Sequence, residues 1–205
     1  MGMNLRYSPL EWNAATEKLT LDNLPLNATF NEINQIADQS VQASAMVPSS
    51  VMAALLESYK VSVSRTGDII KTVIAIDLTN AKSTTIDLDV IGNTGACHIG
   101  QITTAVNGVI YKGKVSCGEA PTGGVTDIDI YSSTAATGAY DADASGLAGA
   151  VAILTSGGAH AVATHKNLTA MPAANAYLYL ACGAAGVPGT YTAGRLFIEL
   201  WGVVR

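Results

Sequence analysis

The feature that most constrains this chain is a period-two alternation of apolar and polar residues. It recurs from Ser58 to Arg205, with Gly, Ala, Thr and Asn turns between the alternating stretches. The clearest instance is Arg195-Leu-Phe-Ile-Glu-Leu-Trp201. Leu196, Ile198 and Leu200 fall on one face, and Arg195, Phe197, Glu199 and Trp201 fall on the other. Successive side chains point to opposite sides of a strand, so this pattern demands a β-strand with one buried face. The second face carries a charge pair and two large aromatics. Water is a poor partner for Phe197 and Trp201, which predicts a strand that meets something on both sides.

The same reading places a strand at Tyr59, Val61 and Val63, a turn at Arg65–Asp68, and a long strand whose core face is Ile70, Thr72, Ile74, Ile76 and Leu78. Ile86, Leu88 and Val90 alternate with Asp87 and Asp89. Further strands are expected at His98–Ala105, Val109–Val115, Val125–Tyr131, Val151–Leu154, Ala176–Ala181 and Arg195–Val203. About nine strands with turn signals between them, and no helical period after Leu56, predict an all-β sandwich or barrel over residues 58–205. The longest loops, Ser132–Gly149 and Cys182–Gly194, are rich in Gly and Ala, and loops of that length commonly carry contacts.

Residues 1–57 differ in kind and read as an N-terminal arm, extended in part and helical in short pieces. Ser8-Pro-Leu-Glu11 is a capping box with Pro at the first helical position, and Tyr7 and Trp12 occupy the positions of a hydrophobic staple. This predicts a helix running to about Lys18. Leu19, Leu21, Leu24 and Leu26 pass through a Pro- and Asn-broken stretch that reads as extended. Thr29-Phe-Asn-Glu32 is a second capping box, and Pro48-Ser-Ser introduces a third short helix through Leu56. Helices this short are marginal alone in water. An arm lying on a partner surface accounts for its scattered apolar anchors, Trp12, Leu24, Phe30 and Ile33; folding back on its own sandwich is the other reading.

Only 13% of residues are charged, against about 25% in a typical domain. A surface largely covered by neighbours fits this, as does a composition simply rich in small residues. Residues 1–57 hold two bases and six acids, and so carry −4 of the −5 net charge. No basic patch is visible in the linear sequence, which argues against nucleic acid as a partner. No apolar run approaches the length of a membrane span, and no signal peptide is visible. Cys97, Cys117 and Cys182 are odd in number and widely spaced, and read as small buried hydrophobes.

A search for chemistry yields little. Asp141-Ala-Asp-Ala-Ser-Gly146 begins like a calcium loop, but Leu147 and Ala152 stand where later ligands are needed, so it reads as a turn capped by Asp side chains. Cys97 and His98 are neighbours on one expected strand and point apart. His160 and His165 have no carboxylate close in sequence, and no nucleophile elbow is present. Asp87 with Asp89, and Asp127 with Asp129, read as polar faces of strands rather than acid–base pairs. No catalytic residue, cofactor site or metal site is assigned, and the chain reads as a non-enzyme.

Four passages together resemble a known family. They are Gly67-Asp-Ile-Ile-Lys-Thr-Val-Ile-Ala-Ile-Asp-Leu78; Glu119-Ala-Pro-Thr-Gly-Gly124 followed by Ile128-Asp-Ile-Tyr131; Ala176-Tyr-Leu-Tyr-Leu180; and Gly189-Thr-Tyr-Thr-Ala-Gly194 with the final strand. As a set covering Ser58–Gly202, they resemble small virion structural proteins of tailed bacteriophages. The resemblance implies a jelly-roll-like sandwich on the outer surface of a capsid, made in the host cytoplasm and assembled as a homotrimer. It would act as a cement or decoration protein bound to the major capsid protein. The arm matches no motif. A head or tail fibre, or a receptor-binding module, is the alternative, with Tyr140 and Tyr191 as the loop aromatics that would serve it. A virion-associated glycan hydrolase would need two carboxylates flanking a cleft. Phe197 and Trp201 are the expected self-contact, and Trp12, Leu24, Phe30 and Ile33 the expected shell contacts.

Overall fold

The computed structural model describes residues 11–13, 18–20 and 59–204. The chain divides after Pro48 into two units. In the first, β1 (Glu11–Asn13) and β2 (Lys18–Thr20) pair antiparallel, with Trp12 opposite Leu19. This corrects the helix expected to run to Lys18. A helix of about ten residues does not recover its nucleation cost unaided, and a ladder satisfies backbone groups of both segments at once. Leu24, Phe30 and Ile33, the second capping box and the third helix lie outside the described residues.

The second unit is an antiparallel β-sandwich. β3 (Tyr59–Thr66) and β4 (Ile69–Asp77) form a hairpin around Gly67, whose φ of +60° is the left-handed conformation that glycine adopts without strain. Along the chain follow β5 (Lys82–Ser83), β6 (Gln101–Ile102), a one-turn helix α1 (Thr104–Asn107), β7 (Val109–Thr122), β8 (Ile128–Ser133), β9 (Val151–Leu154), β10 (His165–Asn167), β11 (Ala176–Cys182), β12 (Gly189–Thr190) and β13 (Ala193–Val203). One sheet has the order β10-β7-β13-β4-β3 and the other β6-β11-β8-β9; β5 and β12 make a small ladder of their own.

The alternation read from the sequence sets the inner faces. Ile70, Thr72, Ile74 and Ile76 of β4, with Leu78 just beyond it, are buried, as are Leu196, Ile198 and Leu200 of β13. Ile74, Ile76, Leu78 and the three β13 residues meet Ile128 and Ile130 of β8 and Leu178 and Leu180 of β11 in one core. At about 25 cal/mol per Å² of apolar surface removed from water, this layer is the main stabilising term. The polar Thr72 is accommodated because its Oγ1 accepts a hydrogen bond from Asn107 Nδ2 at 2.9 Å. The Asn107 side chain also accepts from the Thr103 amide at 2.8 Å and so closes α1.

A second, smaller core lies outside the four-stranded sheet. Val90, Cys97, Tyr131, Ala144, Tyr179 and Ala181 are buried there, with Tyr140 and Leu147 packed against them. The long loop after β8 therefore forms a covering layer. Its backbone bonds onto residues 88–90: Val90 N donates to Ala142 O, Asp141 N to Val90 O and Ala144 N to Leu88 O.

Two expected strands are corrected. Residues 86–90 do not form one: Leu88 has φ +68° and Ile86 is exposed. Thr84 Oγ1 bonds both the carbonyl and the amide of Ile86, and Asp87 Oδ1 accepts from the Leu88 amide. Such local side-chain bonds compete with a ladder. Residues 98–105 contribute only β6 before Thr103, whose hydroxyl accepts from the Val106 amide, starts α1.

Candidate interaction face

The two sheets differ in what covers their outer sides. The loop layer covers the four-stranded sheet. Over the five-stranded sheet, Phe197 and Trp201 stay half-exposed among the described residues. Both project opposite Leu196, Ile198 and Leu200, as the alternation requires.

Strand register arranges this outer face in rows. The first row, from edge to edge, is Ser64, Lys71, Trp201 and Lys112. The next is Ser62, Val73, Glu199, Lys114 and Asn167. The third is Lys60, Ala75, Phe197, Ser116 and His165. The last is Asp77, Arg195 and Glu119, at a register shift in β7.

Three ammonium groups surround the Trp201 ring: those of Lys112, Lys71 and Lys114 lie 5.1, 5.4 and 5.9 Å from its centroid. The indole face attracts each of them. Glu199 takes Lys71 at 2.7 Å and Lys114 at 3.2 Å. Burial alone would raise the Glu199 carboxyl, but the bonds from Lys71 and Lys114 outweigh it and hold the group below its ordinary value. Lys112 is exposed and makes no ion pair with a described residue. Phe197 sits over Gly118, where an added Cβ would come 2.7 Å from its ring.

The first three rows thus gather Lys60, Lys71, Lys112 and Lys114 against the single carboxylate of Glu199. The expectation of no basic patch is corrected: the patch is absent from the linear sequence because β7, β13 and β4 bring its members together from distant positions. Trp201 and Phe197, the expected self-contact residues, do share this face; the lysines beside them were not foreseen. Their signal was available only as single Lys residues at polar positions of alternating strands.

The opposite side of the sandwich is acidic. Asp87, Asp141 and Asp143 are exposed there and Asp127 is half-buried, while Asp89 and Asp129 are buried at 4% and 2% exposure. None of the six makes an ion pair with a described residue. The reading of Asp89 and Asp129 as part of a polar strand face, or of an edge guarded against aggregation, is therefore corrected: both are buried. Asp129 does point away from the main core, but residues beyond the sheet cover it. Its Oδ1 accepts from the Ser156 amide at 2.5 Å, and Thr84 Oγ1 donates to Asp89 Oδ2 at 2.7 Å. Burial raises the pKa of both carboxyls, and neighbouring aspartates raise them further.

Beside Asp129 lies a polar clamp. Lys166 Nζ donates to Ser156 O at 3.0 Å, to Gly158 O at 2.6 Å and to Ser156 Oγ. Ser156 Oγ donates to Gly158 O at 2.7 Å. His160 Nε2 lies 2.9 Å from Ile128 O, which can only accept, so that nitrogen carries the proton. The Lys166 bonds tie residues 156–158 to β10, and the Asp129 and His160 bonds tie residues 156–160 to β8; none of these contacts presents a base to Ser156.

Tyr191, expected as an exposed loop aromatic, is 1% exposed and belongs to the main core. Tyr140 is half-buried against the smaller core. Asp143 does cap its own turn: Oδ1 accepts from the Ser145 amide at 2.8 Å and hydroxyl at 2.6 Å. Among the described residues no group of three or more His, Cys, Asp and Glu side chains is placed to hold a metal ion, and no helix is long and apolar enough to cross a membrane. No protein-family model, no curated protein and no solved structure matches this chain.

Proposed function

We propose that this chain is a structural cement, or decoration, protein of a phage head. It binds the outer surface of the shell and stabilises the contacts between major capsid protein subunits. The observation that carries this reading is the outer face of the five-stranded sheet, where none of the described residues covers Phe197 and Trp201 fully. A two-layer fold that builds a covering layer for one sheet, and leaves Phe197 and Trp201 on the other, fits a protein whose second cover is another molecule. The sequence resemblance supplies the class of assembly and the homotrimer.

In this reading residues 1–57 supply attachment to the shell through Trp12, Leu24, Phe30 and Ile33, and contacts between copies cover Phe197 and Trp201. Binding that prefers the expanded shell stabilises it by mass action. The test is co-sedimentation of the purified protein with expanded shells lacking it, followed by imaging of the particles. Regular density over the whole shell is expected, with Trp12→Ala or Phe30→Ala weakening binding by about 1–3 kcal/mol. Density confined to the tail or to single vertices, or no binding, overturns the proposal.

A further inference from the structure

We infer that copies of this protein associate head to tail, with the basic Trp201 face of one copy seated on the acidic back of the next. The proposed function, on which this inference rests, puts Phe197 and Trp201 at the contact between copies but leaves open which surface meets them. Charge decides this. Across the four rows Lys60, Lys71, Lys112, Lys114 and Arg195 outnumber Glu199, Asp77 and Glu119, and the excess lies around Trp201, so pressing two such faces together brings like charges into contact. A pairing of identical faces about a two-fold axis is disfavoured for that reason.

The same chain carries the complementary surface. Residues 87–90 and 141–144 are bound to each other by backbone hydrogen bonds. They present the exposed carboxylates of Asp87, Asp141 and Asp143 without an ion-pair partner among the described residues. Half-buried Asp127 adds negative charge on this side; its Oδ1 has no hydrogen-bond partner among the described residues. The two surfaces belong to different sheets and look outward on opposite sides of the core. A contact between unlike patches is heterologous, and it repeats through every copy, closing a ring where the rotation allows and running on as a column where it does not. At its centre, Trp201 supplies an aromatic anchor with the lysine stems around it, the arrangement that dominates binding at interfaces.

The experiment is sedimentation of the full chain at low salt with two complementary variants. Lys60→Glu with Lys112→Glu reverses exposed charges that make no ion pair with a described residue. Asp87→Lys with Asp141→Asn and Asp143→Asn removes the acidic back; Asn suits the positive φ at position 141 and keeps an acceptor for the Ser145 amide. Melting temperatures near that of the parent show that both variants fold. If either falls, Lys112→Glu alone and Asp87→Asn with Asp141→Asn replace them, since Asn at position 87 keeps an acceptor for the Leu88 amide.

The parent protein is expected to associate at about 20 mM salt and to weaken at least tenfold by about 500 mM, where charges are screened over a few ångströms. Each variant alone is expected to be monomeric, and a one-to-one mixture to associate again, because the intact back of the first receives the intact face of the second. A ring of three and a longer column both use this contact, and either supports it. A parent that stays monomeric at low salt, or variants that associate as the parent does, overturn the inference. Shell binding is measured separately, so loss of the cement reading leaves this contact standing, and loss of the contact leaves shell binding to be judged alone.

Discussion

The phenol of Tyr191 donates a hydrogen bond to the Val125 carbonyl across 2.6 Å in the main core, joining the loop before β13 to the segment before β8. Gly124 makes room for the ring, since an added Cβ there would come 2.8 Å from it. Tyr191→Phe keeps the ring and strands a buried acceptor, and is expected to cost about 1–2 kcal/mol. Tyr191→Ala also leaves a cavity and is expected to cost about 3–5 kcal/mol. Denaturant titration of the two variants checks both values and their order. A neutral Tyr191→Phe would show that this bond adds no net stability.

Tyr191 also shows where sequence reasoning stops. Ile70–Leu78 and Leu196–Leu200 were legible because alternation is local: each residue's neighbours determine its face. Tyr191 sits in a Gly- and Thr-rich stretch without such a pattern, and only tertiary packing turns it inward. The same limit explains Asp129. Its outward direction was readable from Ile128 and Ile130, but the residues that cover it come from elsewhere in the chain. Ile86, Leu88 and Val90 alternate without forming a strand because bonds from Thr84 and Asp87 redirect the backbone. The row Lys71, Trp201 and Lys112 depends on β4, β13 and β7 being neighbours, and no local signal states that order. For the candidate face, therefore, the aromatics were legible and their charge environment was not.

Cys97, Cys117 and Cys182 are buried free thiols, as their spacing predicted. Burial raises the pKa of each, and only the thiolate reacts readily. The native protein is expected to resist a thiol-specific disulfide reagent, with all three cysteines reacting once the chain is denatured. Reductant should leave the melting temperature unchanged. Rapid labelling of the folded protein would place at least one thiol at the surface.

Buried His98 and His160 predict a loss of stability in mild acid. His98 packs against Tyr177 with ring centroids 4.8 Å apart, and its Nδ1 is buried without a hydrogen-bond partner among the described residues. Burial lowers the pKa of both imidazoles; for His160, nearby Lys166 lowers it further, while the Ile128 bond and Asp127 act the other way. The unfolded chain takes up protons near the ordinary histidine value of about 6.5, and the folded chain only at lower pH. Folding therefore releases protons in that window, and the stability these groups supply is present above it and lost as pH falls through the folded values. The melting temperature should drop between about pH 7 and pH 5, and His98→Phe should flatten part of that drop. A variant with an unchanged pH profile would exclude His98 as a contributor.

Asp129 acts in the opposite sense. Its pKa is raised, first by burial and then by Asp127 and Asp87, with Lys166 and the Ser156 amide opposing. A carboxyl that ionises less readily in the folded state than in the unfolded one penalises folding at neutral pH. The penalty disappears as pH falls below the unfolded value, near 3.9. Asp129→Asn keeps an oxygen that can accept from the Ser156 amide and removes the buried charge. It is expected to raise the melting temperature at pH 7, and the gain over the parent should shrink steadily as both are titrated into acid. A constant gain across that range would trace the effect to packing rather than ionisation. A loss at pH 7 would mean that attraction to Lys166 outweighs both burial and the neighbouring aspartates, and that the charge stabilises the clamp around Ser156.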